Sequence, residues 1–354
     1  MSEEKLGTKS SSPVVQVRED KNEIQYYDND NATSAYDKDE EIVKSLDIDY
    51  ENEETLNIIQ YKLKSIEVLE LHKFKNLDSL TLRNNLISSI SDLEGLAENN
   101  KNKLTYLDLY DNRITHISSK IQKLSNLSFL DLSFNKIGKI NNLGKLVNLK
   151  ELYLIENGIN KIENLENLVN LEILELGGNE IQKFENIENL KTLKELWLGK
   201  NKLPDLVLPQ LTNLKILSLP SNRLTKIPSS VKNLPNLREL YLSGNKIDKI
   251  EHIETLHKLE ILDLNYNKIT HVENLTTLVS LTDLWLSYNN VDVTFKELED
   301  AISMLPLEQI YLENNPIYFK NKTSYKRKII MIMEKMGTLE KVDADYVNTE
   351  GLYK

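Results

Sequence analysis

Cysteine is absent from the 354 residues, so disulfides, thiolate catalysis and cysteine-held metal sites are excluded together. A secreted repeat protein often staples its ends with disulfides, and their lack leans towards a reducing compartment. Glycine is scarce at eleven residues, and none of them builds a glycine-rich phosphate loop. Long apolar runs are missing too: Ile329-Ile330-Met331-Ile332-Met333 is the longest, far too short to cross a bilayer. The opening residues Met1-Ser2-Glu3-Glu4-Lys5 lack the basic and apolar regions of a secretory signal. The expectation is a soluble chain inside the cell, with no membrane contact.

What is present is repetition. Between Leu77 and Ile317 the pattern Leu-x-x-Leu-x-Leu-x-x-Asn-x-(Ile/Leu/Val) occurs eleven times, with Ile310 replacing one leucine. Its asparagines are Asn85, Asn112, Asn135, Asn157, Asn179, Asn201, Asn222, Asn245, Asn267, Asn289 and Asn315, mostly 22 residues apart. A degenerate twelfth copy runs Leu56, Ile58, Tyr61, Leu63, with Tyr61 where the asparagine belongs. A period in the twenties with this signature means a leucine-rich-repeat solenoid of α/β class. Each Leu-x-Leu should form a short strand of a parallel sheet lining the concave face, with 3₁₀ or short helical returns on the convex side. The asparagine amides satisfy backbone groups where the chain turns. Two spacings are longer than the rest: polar residues near Glu98-Asn99-Asn100-Lys101 read as a surface bulge, and Val291 to Leu307 as a helical return. After Pro316 the period stops, and Tyr325 to Glu334 reads as a cap helix ending at Gly337.

Residues 1–54 hold 16 acidic and 6 basic residues, so nearly all of the net charge of −11 lies there. Such a segment cannot offset its chain entropy by burial. The organisation expected is a disordered acidic tail at 1–41, a solenoid at 42–318 and a carboxy-terminal cap at 319–354. The basic residues Lys320, Lys322, Lys326, Arg327 and Lys328 read as a solvated face of the cap rather than a nucleic-acid patch. His72, His116, His252, His257 and His271 fall at convex or turn positions, without metal-ligand or triad spacing. No metal, cofactor or nucleic acid is implied, and no acid–base pair stands out. The chain reads as no enzyme.

The residues between the second and third leucines form the concave line: Thr81, Asp108, Asp131, Tyr153, Glu175, Trp197, Ser218, Tyr241, Asp263, Trp285 and Tyr311. Both tryptophans of the chain are on it. Rings set among carboxylates suit the centre of a protein–protein interface better than a solvated sheet face.

Several stretches resemble the leucine-rich-repeat regulatory subunits of type 1 protein phosphatase. They include Leu107-Asp108-Leu109-Tyr110-Asp111-Asn112, Ser221-Asn222-Arg223-Leu224-Thr225-Lys226-Ile227, Ile310-Tyr311-Leu312-Glu313-Asn314-Asn315-Pro316 and, in the cap, Val342-Asp343-Ala344-Asp345-Tyr346-Val347. The resemblance covers about residues 46–348. It implies a non-catalytic partner of the phosphatase catalytic subunit, in nucleus and cytoplasm, controlling maturation, localisation or partner choice, with room for a further phosphatase regulator. It also implies contacts from Asp131, Tyr153, Glu175, Trp197, Asp263, Asp283, Trp285 and Tyr311. The family usually has phenylalanine where Tyr153 and Trp197 stand and glutamate where Asp283 stands. The alternative is a ribonucleoprotein scaffold similar to the spliceosomal A-prime protein, which has about half as many repeats.

Overall fold

The computed structural model describes residues 35–98 and 101–347. The described residues open with helix α1 (Ala35–Ser45) and then lay down twelve three-residue strands. These are β1 (Thr55–Asn57), β2 (Ser79–Thr81), β3 (Tyr106–Asp108), β4 (Phe129–Asp131), β5 (Glu151–Tyr153), β6 (Ile173–Glu175), β7 (Glu195–Trp197), β8 (Ile216–Ser218), β9 (Glu239–Tyr241), β10 (Ile261–Asp263), β11 (Asp283–Trp285) and β12 (Gln309–Tyr311). Each pairs in parallel with the next, and β13 (Lys341–Val342) and β14 (Asp345–Tyr346) close the sheet, the last pair antiparallel. The expected solenoid is therefore present, including a strand for the degenerate first repeat.

Register explains why so short a strand persists. The central residues Leu80, Leu107, Leu130, Leu152, Leu174, Leu196, Leu217, Leu240, Leu262, Leu284 and Ile310 sit directly opposite one another along the array. All are fully buried, each contributing about 1.5–3 kcal/mol by burial. Their neighbours in the strand point the other way, as strand alternation requires.

The asparagines tie one repeat to the next. Asn179 accepts from the Ile159 N–H at 3.1 Å and donates to the carbonyls of Leu154 (2.8 Å), Leu176 (3.0 Å) and Gly177 (3.2 Å). Two further ladders run elsewhere. Asn126, Asn148, Asn170, Asn213 and Asn236, from the Leu-x-Asn-Leu returns, each donate to a carbonyl of the preceding repeat. Asn142, Asn164, Asn186 and Asn274 do the same from left-handed backbone, which asparagine tolerates well. Tyr61 does not replace the missing asparagine: its ring is exposed, and its N–H donates to the Asn85 amide oxygen.

The returns are plainer than expected. Short 3₁₀ turns occur at Glu67–Leu69, Leu71–Lys73, Ser91–Leu93, Ser119–Lys123 and Ser229–Asn233, while most others are simple turns, because a 22-residue repeat leaves little chain for a helix. The bulge near Glu98 carries a short helix, α2 (Glu94–Glu98); Asn99 and Asn100 lie outside the described residues. The long return after Val291 is helix α3 (Phe295–Ile302), with a reciprocal capping box between Thr294 and Glu297. Helices α4 (Pro316–Lys320) and α5 (Tyr325–Met333) follow in the cap.

The boundary read at residue 41 falls within a helix. Helix α1 starts at Ala35, inside the stretch read as tail, and its Asp39 is 2% exposed. One Asp39 carboxylate oxygen accepts from the N–H groups of Lys64 and Ser65, both at 2.9 Å. Composition alone hid this, since a single carboxylate meeting two orphaned donors outweighs the helix's surrounding charge. The expected disorder of residues 1–34 lies outside the described residues.

Candidate functional site

Three columns of side chains line the concave face: the first and third residue of each strand, and the residue two further on. Across β2 to β12 these columns contain nine carboxylates: Asp108, Asp131, Glu151, Glu175, Glu195, Glu239, Asp263, Asp283 and Glu313. Arg83 is their single basic residue. Residues 55–354 carry a net charge of only −1 in total, yet this face is strongly acidic.

Many of these carboxylates are already engaged. The N–H two residues on donates to Asp108 (3.0 Å), Asp131 (2.8 Å), Glu175 (2.8 Å) and Asp263 (3.0 Å). The side chain thus folds over the end of its own strand. Burial pushes all four groups upward in pKa, Asp108 to about 6 and Glu175 to about 7, against the lowering effect of those N–H bonds. For Glu175 the nearby charge of Glu195 adds to the rise. The Arg83 guanidinium lies 3.2 Å from Asp108 and 4.2 Å above the Tyr110 ring.

The rings fall into two groups. In the amino-terminal half, Tyr106 stacks on Phe129 at 4.1 Å, and Phe129 meets Tyr153 at 5.4 Å. In the carboxy-terminal half Trp197, Tyr241, Trp285 and Tyr311 form a row with centroids 6.2, 6.3 and 6.2 Å apart. Trp197 and Tyr241 are on alternate strands, and the small Ser218 between them lets the rings lean together. Asp263 separates Tyr241 from Trp285 in the same way. Glu175 lies between the two groups, on β6.

Glutamates in the first column orient the rings of the third. Tyr153 donates to Glu151 at 2.9 Å, Trp197 to Glu195 at 3.1 Å, and Tyr241 to Glu239 at 2.8 Å. On β11 this pairing is absent. Asp283 is one methylene shorter and accepts instead from the Thr282 hydroxyl at 2.8 Å, leaving the buried Trp285 Nε1 without a partner. The Ser287 hydroxyl, on the same face, is likewise unpartnered.

All eight site residues named from sequence, Asp131, Tyr153, Glu175, Trp197, Asp263, Asp283, Trp285 and Tyr311, lie on one sheet face, with Asp283, Trp285 and Tyr311 on adjacent strands. The first-column Tyr106, Phe129, Glu151, Glu195 and Glu239 were not anticipated, although strand alternation places every residue two before the concave line on the same face. The cap's basic residues are largely occupied: Lys320 pairs with Asp292, Lys326 with Asp345, and Lys328 sits over the Phe295 ring. Among the described residues no group of three or more histidines or carboxylates could hold a metal, and no helix is long and apolar enough to cross a membrane.

The chain belongs to the leucine-rich-repeat family, whose sequence signatures match residues 102–145, 125–170, 212–255 and 255–271. A solved leucine-rich-repeat protein of Leptospira interrogans is 30% identical, with TM-score 0.61, over 77% of this chain and 74% of that one. An internalin of Listeria monocytogenes, 24% identical with TM-score 0.63 over 88% and 89%, shares the fold. Protein phosphatase 1 regulatory subunit SDS22 of Saccharomyces cerevisiae is 49% identical over 105 residues, 30% of this chain. That stretch is 29% of the yeast protein's length.

Proposed function

We propose that this chain is a regulatory subunit of a type 1 Ser/Thr protein phosphatase, holding the catalytic subunit against its concave face. The observation that carries the reading is the four-ring row from Trp197 to Tyr311 on an acidic sheet. Half-buried rings anchor a partner by area, and carboxylates among them favour a partner with basic side chains. The match to a phosphatase 1 regulatory subunit supplies the partner's class. Binding controls the enzyme's maturation, localisation or partner choice in nucleus and cytoplasm. A nucleic-acid scaffold is disfavoured, because nine carboxylates on the binding face repel phosphates.

Trp285→Ala tests the reading. Loss of such an anchor costs about 2 kcal/mol, a roughly 30-fold weaker complex with the catalytic subunit. The unfolding midpoint should change little, because the ring lies outside the leucine stack. Calorimetric titration giving wild-type affinity would refute docking on this face.

A further inference from the structure

The residue before each ladder asparagine has left-handed backbone, from Asn84 through Asn314. Glycine fills this position at 178 and 244, and Asn84, Asp111 and Asn314 are also well suited to it. Tyr266 (φ +54°) and Tyr288 (φ +58°) are not, since bulky side chains disfavour that conformation. Their rings stack face to face, 4.3 Å apart and 9° from parallel, while remaining 57% and 44% exposed. Two strained positions therefore present a flat, exposed aromatic surface on the rim beside β10 and β11. Strain retained where the stability of the array gains little points to a surface role.

The molecule shows what such a surface accepts. On the same rim near the other end, Tyr110 and left-handed Phe134 pair at 4.9 Å, and the Arg83 guanidinium covers the Tyr110 ring at 4.2 Å. No lysine or arginine is placed over Tyr266 or Tyr288 among the described residues. Asp263, at the near end of β10, and Glu313, two residues past the end of β12, are both acidic, and the Tyr288 N–H bonds the Glu313 carbonyl. The rim pair also lies beside Trp285, which ends β11 three residues before Tyr288.

We propose that Tyr266 and Tyr288 form a rim subsite that takes an arginine side chain of the protein seated on the concave face, the guanidinium stacking on the paired rings. This rests on the concave-face reading above and extends the contact beyond the residues assigned there. Guanidinium suits it better than ammonium, because its plane stacks on an aromatic face while its edge donates to carboxylates.

The test compares two double variants with Trp285→Ala in titrations against the phosphatase catalytic subunit. Tyr266→Asn/Tyr288→Asn removes the rings and suits the left-handed backbone, so the fold should be as stable or more so while affinity falls about tenfold. Tyr266→Phe/Tyr288→Phe keeps the rings and should bind as the natural chain does. If the asparagine pair fails to fold, Tyr266→Gly/Tyr288→Gly carries the same comparison. Wild-type binding by the ring-less variant, beside weak binding by Trp285→Ala, would overturn the rim subsite and leave the concave reading standing. Equal losses from the phenylalanine and asparagine pairs would show that the hydroxyls act, not the rings, and would also overturn it. No binding by the natural chain would remove both.

Discussion

Glu175 does two jobs that pull its chemistry in opposite directions. It caps its own strand through the Gly177 N–H, and burial beside Glu195 raises its pKa to about 7. A carboxyl that binds its proton more tightly when folded stabilises the fold at low pH and loses that contribution as pH rises from about 4.5 to about 7. Asp108, raised to about 6, acts in the same direction over a lower window. Urea unfolding should therefore show stability falling between pH 5 and pH 8. Glu175→Gln keeps the acceptor for Gly177 but cannot ionise, so it should flatten that slope and gain on the order of 2 kcal/mol over the natural chain at pH 8. An unchanged slope would mean that Glu175 is ionised throughout.

The elements are set by spacing, and most of them were legible for that reason. Eleven copies of one pattern fix where β2 to β12 lie, and the longer gap after Val291 announces helix α3. Its capping box makes a definite prediction. Thr294→Ala removes the acceptor of the Glu297 N–H at 3.2 Å and should cost about 1 kcal/mol by thermal or urea unfolding. What stayed illegible depends on contacts between residues far apart in sequence. Asp39 meets Lys64 and Ser65, 25 and 26 residues away, and no local pattern announces such a pair. The row from Trp197 to Tyr311 could be listed from sequence, but its continuity depends on rings leaning over Ser218 and Asp263. The strained rim tyrosines were hidden because the position before the asparagine is filled by many residue types, from Gly178 to Lys200, and the repeat pattern does not show its backbone conformation. The Leu-x-Asn-Leu ladder, by contrast, was written in the returns and could have been read there.

Taken as a whole, the molecule treats its two ends alike. At one end Asp39 accepts from the N–H groups of Lys64 and Ser65; at the other, Asp343 accepts from those of Leu312 and Glu313 at 2.9 and 3.0 Å. Both aspartates are 2% exposed. Asp343→Ala should cost about 1–3 kcal/mol by leaving two donors orphaned, whereas Asp343→Asn keeps an acceptor and tolerates the φ of +54° there, so it should restore most of the loss. A melting temperature equal in both variants would assign the effect to charge instead. An array whose every unit fits the next has no built-in length, since the register that seats β12 on β11 would equally seat a strand from another molecule on β12. The two aspartates, with β13 and β14 folded back beyond the last repeat, are the terminators of an otherwise open-ended series. Without them the chain would carry the makings of a filament, and sedimentation of the Asp343→Ala protein should reveal end-to-end association that grows with concentration.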